Sequence, residues 1–318
     1  MRVSQALMIA AIFVISSPCV SASDQMKADE HFIEANGVRL HVSEKVLGEA
    51  AGKPIVVLAH GSATAGPESF DVQVEGRPRQ GEPDFSLMDY LAREGFDVFA
   101  ADVRGFGRST HPDTGVTTQE AAQDLDAVID DVLKMRGAAK VHVVAWSWGT
   151  QYAGLEVMAH PEKIARYVSY AQMHPNSPDV IKRRERLEEF RKGPYITIPE
   201  PAWKKRFTSM TPDAVNDAGA VETYARGAFA VEKTTPTGPQ IDMTTRLPLV
   251  DPARINVPTM MIHGQYDDVA DTRGLLAFFE ALNTPEKRYV IVPDAGHMAH
   301  LQAGRGILQR AIADFLKR

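Results

Sequence analysis

The chain has 318 residues, of which 44% are hydrophobic and 24% are charged, a balance that is typical of globular proteins and excludes disordered, collagen-like and multi-span membrane proteins. The 35 basic and 41 acidic residues give a net charge of -6. Neither sign forms a long run, so we expect neither nucleic acid nor an anionic membrane as a partner. The one cysteine of the sequence, Cys19, excludes an intrachain disulfide and a zinc site made of several thiolates.

The first 22 residues are typical of a secretory signal peptide. Arg2 precedes an apolar run that is too short to span a bilayer, and the small residues Val20-Ser21-Ala22 follow it. We therefore expect cleavage after Ala22 and an exported protein, periplasmic or secreted, that comprises residues 23–318 and has no integral membrane association. The alternatives are an uncleaved amphipathic tail and a lipoprotein anchored through Cys19.

The first half of the chain predicts alternating strands and helices. Asn36-Gly37 favours a tight turn, which makes residues 31–49 a β-hairpin. Continuous apolar runs then predict buried parallel strands, separated by stretches with an apolar stripe at helical spacing. The strands are expected at 54–59, 95–101, 141–145 and 165–171, and the helices at 85–94, 119–135 and 151–159. This order predicts an α/β fold with a mostly parallel central sheet and helices on both faces.

The alternation stops at about residue 174 and resumes at about residue 252. The intervening stretch contains a charged helix, expected over 179–191, an amphipathic segment over 215–231 and several prolines, but no convincing buried strand. Strands follow at 258–262 and 288–292, and helices at 275–282 and 306–317. Because the elements on both sides are needed to complete one core, the pattern predicts a helical insertion within a single domain.

Ser147 lies at a predicted sharp turn between a strand and a helix. Such a turn holds a serine hydroxyl above the end of the sheet, where the helix N-terminus directs partial positive charge towards it. Small residues are needed two positions before and after the serine, and these positions hold Ala145 and Gly149. A serine with this spacing also occurs by chance, so its function depends on partners elsewhere in the chain.

Polar residues follow the other predicted strands at matching positions. His60-Gly61-Ser62 comes after the first apolar strand, Asp267 comes shortly after the strand at 258–262, and His297 comes after the last strand. With these motifs in this order, the chain resembles the α/β-hydrolase superfamily from about residue 38 to 317, apart from the insertion.

The resemblance implies a catalytic triad of Ser147 as nucleophile, Asp267 as acid and His297 as base. A serine hydroxyl becomes a strong nucleophile when a histidine takes its proton, and a carboxylate fixes the histidine tautomer and stabilises the imidazolium. The oxyanion of the tetrahedral intermediate then needs two fixed donors, for which we expect the backbone N–H groups of Ser62 and Trp148.

Several residues are rivals for these roles. Asp268 and Asp271 lie near Asp267, but Asp267 has the spacing from Gly264 that the resemblance implies, and His300 lies three residues after His297. His297 and His300 could in principle hold a metal with Asp294, but two histidines three residues apart without a third close ligand are weak evidence for a metal site. We therefore predict no metal and no organic cofactor.

The insertion is expected to act as a cap, since the resemblance implies that its apolar lining selects the acyl or alcohol group. Candidates for the substrate lining are Trp146, His60 and Trp203, although His60 is more typically a structural residue of its loop. A long polar loop over residues 61–82, with Arg77 and Arg79, is interpreted either as a gate or carboxylate-binding segment or as a surface loop.

These features predict an exported serine hydrolase that cleaves a carboxylic ester or lactone of a small molecule through an acyl-enzyme. An amidase or proline-iminopeptidase-like peptidase with the same triad is the first alternative, and a non-catalytic ligand-binding protein of this fold is the second. Epoxide hydrolases and haloalkane dehalogenases resemble the fold but carry aspartate at the position of Ser147, which disfavours those reactions. The sequence predicts neither a chain-length preference nor an oligomeric state.

Overall fold

The computed structural model describes residues 25–208 and 211–318. The predicted signal peptide and Cys19 lie outside the described residues. The strands are β1 (Met26–Ala35), β2 (Val38–Leu47), β3 (Ile55–Ala59), β4 (Asp97–Asp102), β5 (Val141–Trp146), β6 (Ile164–Tyr170), β7 (Tyr195–Thr197), β8 (Thr234–Pro236), β9 (Thr259–Gly264) and β10 (Lys287–Val292). The α-helices are α1 (Gly66–Phe70), α2 (Leu87–Arg93), α3 (Thr118–Arg136), α4 (Gly149–Ala159), α5 (Pro178–Arg184), α6 (Leu187–Phe190), α7 (Glu200–Thr208), α8 (Ala218–Val231), α9 (Gly238–Thr245), α10 (Thr272–Ala281) and α11 (Arg305–Leu316).

Eight strands form the central sheet in the order β1-β2-β4-β3-β5-β6-β9-β10. The pairs β1/β2 and β2/β4 are antiparallel, and all other neighbours in this sheet are parallel. Every residue of β3, β4 and β5 is buried, as expected for parallel strands that are covered on both faces. The predicted α/β fold with a mostly parallel sheet is confirmed.

The local signals in the sequence explain where several elements begin and end. Asn36 and Gly37 both have positive φ, 52° and 76°, and they form the predicted hairpin turn between β1 and β2. Helix α3 begins with a capping box between Thr117 and Glu120 and ends at Gly137, which has φ +61°. These terminal interactions satisfy backbone groups that would otherwise lack partners.

The stretch between β6 and β9 contains the helices α5 to α9 and a small antiparallel sheet of β7 and β8. The continuous charged helix expected over 179–191 is wrong, because α5 ends at Arg184 and α6 starts at Leu187. We call this stretch the cap. It contacts the rest of the domain through α8 against α1 and through α9 against α3.

A helix that crosses a bilayer must be both long and apolar. Within residues 25–208 and 211–318, none combines the length and the hydropathy of a membrane-spanning helix.

Candidate active site

The backbone of Ser147 adopts a left-handed conformation with φ +59°, which residues other than glycine rarely adopt. Strand β5 ends at Trp146 and α4 begins at Gly149, so the chain reverses direction within two residues. The Ser147 N–H donates a hydrogen bond to the carbonyl oxygen of Tyr170 at 3.0 Å, which ties the turn to β6. The turn presents the Ser147 side chain at the carboxyl end of the parallel strands, where the sequence predicts it.

The turn is packed tightly against the end of β3. A Cβ atom at Gly149 would lie 2.4 Å from the carbonyl oxygen of Ala59, so glycine is required there. A Cβ atom at Gly61 would lie 3.3 Å from the Cβ atom of Ser147, so the loop that carries Ser62 runs directly beside the serine. At Ala145 the methyl group is accommodated in the core, where the residue is fully buried.

Three predicted residues from distant parts of the chain form one hydrogen-bonded series. Nε2 of His297 lies 2.9 Å from Oγ of Ser147, and Nδ1 of His297 lies 3.0 Å and 3.1 Å from the two carboxylate oxygens of Asp267. The Asp267 carboxylate also accepts hydrogen bonds from the N–H groups of Val269 and Ala270. With a proton on Nδ1 facing Asp267, Nε2 is left to accept the Ser147 hydroxyl proton.

The charges around His297 favour its protonated form. Burial lowers the pKa of this ring, but the charge and hydrogen bond of Asp267, with the charges of Asp268 and Asp179, outweigh burial and raise the pKa above its ordinary value. Burial raises the pKa of Asp267, whereas the His297 charge and its hydrogen bonds bring the net pKa below the ordinary value. The pair is therefore arranged to stabilise a proton on the imidazole.

The rival residues occupy other positions. Burial lowers the pKa of His300 to about 3, and its Nδ1 lies 2.9 Å from the Tyr170 hydroxyl rather than at Ser147. Asp271 caps helix α10 through its hydrogen bonds to the N–H groups of Arg273 and Gly274. Asp268 lies beside the site, and burial is the main cause that raises its pKa to about 6.

The two N–H groups predicted as oxyanion donors flank Ser147. In the described part of the chain, neither the N–H of Ser62 nor that of Trp148 donates to a protein acceptor. The cap holds the residue that carries the first donor: the Thr235 hydroxyl donates to the Ser62 carbonyl oxygen at 2.9 Å, and Nε2 of Gln240 donates to the Ser62 hydroxyl at 3.3 Å. Sequence reasoning missed both cap residues, since nothing in their local pattern indicates a contact with a loop more than 170 positions away.

His60 holds the loop that carries Gly61 and Ser62 in place. It does not line the cavity, which corrects its assignment to the substrate lining. Its Nδ1 lies 2.7 Å from the Gly61 carbonyl oxygen, its Nε2 accepts the Val103 N–H at 3.3 Å, and the Tyr152 hydroxyl donates to its carbonyl oxygen. Burial lowers the pKa of the His60 ring. A neutral, fully buried ring fixes the loop but cannot reach a substrate.

A cavity of about 570 Å³ opens above Ser147 and His297, a size that suits a small molecule. Trp146 lines it as predicted, and its Nε1 also donates to the carbonyl oxygen of His297 at 3.0 Å. The assignment of Trp203 is wrong, because its ring is fully buried in the cap core beside Tyr224. The cap side carries charged side chains in addition to the apolar lining that was expected; it consists of Pro178, Asp179, Lys182, Arg183, Arg186, Ala202, Lys205, Arg206 and Tyr224.

The loop over residues 61–82 is more ordered than its composition indicates. It contains α1, and the guanidinium of Arg77 pairs with Glu82 and, at 3.0 Å, with Asp217 of the cap. Arg77 and Arg79 are not among the residues around the cavity. The interpretation of this loop as a carboxylate-binding segment is therefore not supported.

Side chains that can ligate a metal occur throughout residues 25–208 and 211–318. In that part of the chain one group, Asp126, Glu156 and His160, brings three ligand atoms together. The Lys163 ammonium lies 2.6 Å from the Asp126 carboxylate and supplies a positive charge there. Asp294 is an exposed turn residue with φ +52° and does not join His297 and His300 in such a group.

A family model described as the alpha/beta hydrolase fold matches residues 54–303. Among curated proteins, the chain is 31% identical over 141 residues to epoxide hydrolase A of Mycobacterium tuberculosis, a match that covers 43% of this chain and 36% of that protein. It is 27% identical over 197 residues to a non-heme chloroperoxidase of Streptomyces lividans, covering 57% of this chain and 68% of that protein. The chain thus matches only about a third of the length of the first relative.

Solved structures show the same architecture at low sequence identity. A thermophilic esterase from Thermogutta terrifontis has a TM-score of 0.65 at 20% identity, with 91% of this chain and 98% of that chain covered. The 2-hydroxy-6-oxo-6-phenylhexa-2,4-dienoate hydrolase from Rhodococcus sp. strain RHA1 has a TM-score of 0.66 at 18% identity, with 92% and 100% covered. Since the family model extends over most of the central sheet and the cap, the chain belongs to the alpha/beta hydrolase fold family.

Proposed function

We propose that this member of the family is a serine hydrolase that cleaves carboxylic esters of small molecules through an acyl-enzyme on Ser147. The observation that carries the proposal is the hydrogen-bonded series from Ser147 through His297 to Asp267, which opens on a cavity. Beside it lie the N–H groups of Ser62 and Trp148, which have no protein acceptor among the described residues. A nucleophile, an oriented base and oxyanion donors at one point are the parts that acyl transfer requires.

The reaction follows from the positions of these groups. Oγ of Ser147 attacks the ester carbonyl carbon while its proton moves to Nε2 of His297, and Asp267 stabilises the resulting imidazolium. The oxyanion accepts hydrogen bonds from the N–H groups of Ser62 and Trp148. When the tetrahedral intermediate collapses, the alcohol leaves with the proton from His297, and a water molecule activated by the same ring then hydrolyses the acyl-enzyme.

Epoxide hydrolysis would need a different nucleophile from the one that this site offers. Two curated relatives bear the name epoxide hydrolase. In this chain the turn between β5 and α4 holds Ser147, whose hydroxyl faces His297 at 2.9 Å, an arrangement that supports acyl transfer. Lactones and amides would use the same residues as esters. They are therefore outcomes of the test below.

The test is the hydrolysis of p-nitrophenyl esters from acetate to octanoate, together with fluorophosphonate labelling. Wild-type protein should turn over at least one ester and label at Ser147, and Ser147→Ala should lose about 10⁴-fold or more of the activity together with the label. Ser43→Ala, which removes a hydroxyl that binds Glu30 outside the cavity, should behave as wild type. Labelling of Ser147 without ester cleavage would favour an amide or lactone; neither labelling nor cleavage would contradict a serine hydrolase.

We also propose that the protein is exported, which the sequence of residues 1–22 supports. N-terminal sequencing of the protein recovered outside the cytoplasm of a bacterial host should begin at Ser23. A retained Met1, or a lipid on Cys19, would contradict cleavage after Ala22.

A further inference from the structure

The cap side of the cavity carries an excess of positive charge. Five cationic side chains of the cap face the cavity, against the carboxylates of Asp179 and Asp268: Lys182, Arg183, Arg186, Lys205 and Arg206. The protein as a whole has a net charge of -6, so the local excess does not follow from composition. An excess of one sign in a cavity wall concentrates ligands of the opposite sign.

Two of the five cations are neutralised within the cap. Arg183 pairs with Asp179 and also donates to the side-chain oxygen of Gln240 at 2.5 Å. Arg186 forms a two-pronged pair with Glu189 at 2.9 Å and 2.8 Å. Their charges are therefore accounted for without a ligand.

The remaining three, Lys182, Lys205 and Arg206, have no such neutralising partner. Among the described residues, no carboxylate lies within 4.0 Å of their charged nitrogens. Lys204, the neighbour of Lys205 on α7, differs in that it pairs with Glu222 at 2.6 Å on the outer side of the cap. The unpaired charges are thus those on the cavity side of α7 and α5.

Arg206 is the most constrained of the three. Its guanidinium lies over the ring of Trp203, 4.7 Å from the ring centre, and the residue is half-buried. Burial is the main cause that lowers the pKa of Arg206, and the charge of Arg183 acts in the same direction, whereas Tyr224 and the charge of Asp179 act against it without cancelling it. A guanidinium held partly away from water without a carboxylate partner is costly, and an anionic ligand would supply the missing partner.

Of the two carboxylates that line the cavity, Asp268 lies on the histidine side, whereas Asp179 belongs to helix α5 of the cap. The charges of both Asp268 and Asp179 act on His297, and Asp179 is already paired with Arg183. An anionic group of a ligand would be repelled from the histidine side and attracted to the cap side. This separation of charge favours one orientation of a bound ligand, with its reacting carbonyl near Ser147 and any negative group near Arg206.

We propose that the substrate is an ester that carries a second, anionic oxyacid group, a carboxylate or a phosphate, which Arg206 binds with the support of Lys182 and Lys205. The planar guanidinium binds both kinds of group through paired hydrogen bonds, whereas the two lysines contribute as point charges. This inference rests on the proposed function, because it specifies the substrate class of the same site.

The experiment compares matched esters that differ in charge. The pairs are 4-acetoxybenzoate with 4-acetoxybenzamide, and monoethyl adipate with its neutral terminal amide; 4-acetoxyphenyl phosphate provides the phosphate arm. Wild-type kcat/KM should be higher for the anionic member of a pair, and Arg206→Gln should lower it by about 10- to 100-fold for anionic esters and less than about 2-fold for neutral ones. The arm with the largest loss identifies carboxylate or phosphate.

Further variants separate a binding role of Arg206 from a structural one. Lys204→Gln, on the same helix but on the outer side of the cap, should leave the preference for the anionic ester unchanged, and Arg206→Lys should restore part of it. If Arg206→Gln does not fold, Lys205→Gln, at an exposed position, should reduce the preference in the same direction. Higher salt should weaken the turnover of anionic esters and not that of neutral ones.

The outcome can be distinguished from failure of the proposed function. If kcat/KM is as high for neutral esters as for anionic ones and Arg206→Gln changes both values equally, the inference is wrong. The proposed serine hydrolase activity is then still supported. If no ester is cleaved, calorimetric titration with adipate and with phenyl phosphate decides: binding that Arg206→Gln weakens at least about tenfold supports the anion subsite, and absent or unchanged binding overturns it.

Discussion

The ionisation of His297 sets the pH range in which Ser147 can be activated. The ring acts as a base when it is neutral, and its raised pKa keeps it protonated to a higher pH than an ordinary histidine. Activity should therefore rise with pH through a midpoint above 6.5, the ordinary value. The pH profile of kcat/KM for a neutral ester measures this midpoint.

Replacing a neighbouring carboxylate should move that midpoint in a known direction. Asp268 contributes to the raised pKa of His297, so Asp268→Asn should shift the rise in kcat/KM to lower pH. Asp29→Asn, on the edge strand β1, serves as the control and should leave the profile in place. An unchanged midpoint in Asp268→Asn would mean that Asp268 does not act on the base.

At the scale of single residues, the sequence predicted the positions that follow from strand order. Ser147, Asp267 and His297 each come after a strand of the parallel part of the sheet, so their meeting at one edge of the sheet follows from the parallel arrangement. Arg206 had no such signal, because a basic residue on an amphipathic helix is usually solvated. Its contact with the cavity depends on how α7 lies on the domain, which no local pattern specifies.

Among the elements of the fold, the cap does more than cover the cavity. Thr235 of β8 and Gln240 of α9 both bind Ser62, and Gln240 is held in turn by Arg183 of α5. Three cap elements thus hold the loop that offers one oxyanion donor. Gln240 is accordingly a positioning residue, which acts through Ser62.

Removing this support should lower the rate of the chemical step. We expect Gln240→Leu to reduce kcat by about tenfold with little change in KM, since a misplaced donor loses stabilisation mainly in the transition state. Thr245→Val on the same helix removes an exposed hydroxyl that donates to the Ile241 carbonyl oxygen, and it should be neutral. A rise in KM at unchanged kcat would indicate instead that Gln240 contacts the substrate.

Element boundaries were predicted well where an apolar pattern is long and less well where it is short. The buried strands β3, β4 and β5 were found because each is apolar on both faces. The strands β7 and β8 have three residues each, too few for a period of two to be recognised. The break between α5 and α6 was also missed, because charged residues continue through it without a proline or glycine.

For the molecule as a whole, a buried carboxyl group connects stability to pH. Glu232 follows α8, is 1% exposed and accepts the Gly107 N–H at 2.6 Å. Burial, with the charges of Asp102 and Glu68, raises its pKa from 4.5 to about 8. The folded protein therefore retains this proton at pH values where the unfolded chain has lost it.

The free energy of unfolding should accordingly fall as pH rises from about 4.5 towards about 8. Above that range Glu232 is ionised in both states, and the stabilisation by its bound proton should be absent. Glu232→Gln resembles the protonated group, so its free energy of unfolding should depend less on pH and exceed that of wild type above pH 8. Urea titrations at several pH values measure this, with the exposed Glu185→Gln as control. A parallel pH dependence in Glu232→Gln and wild type would contradict the assignment.

The pairing of β6 with β9 has a consequence for folding. Tyr170 lies opposite Ile262 in this pair, so pairing of the two strands closes a chain loop that contains the whole cap. Closing so long a loop is among the slower steps of a folding reaction. Ser147 lies before that loop, and Asp267 and His297 lie after it. Ser147 therefore has no base beside it until β6 and β9 pair, so the activated nucleophile forms only when the parts of the sheet that precede and follow the cap in the chain have come together.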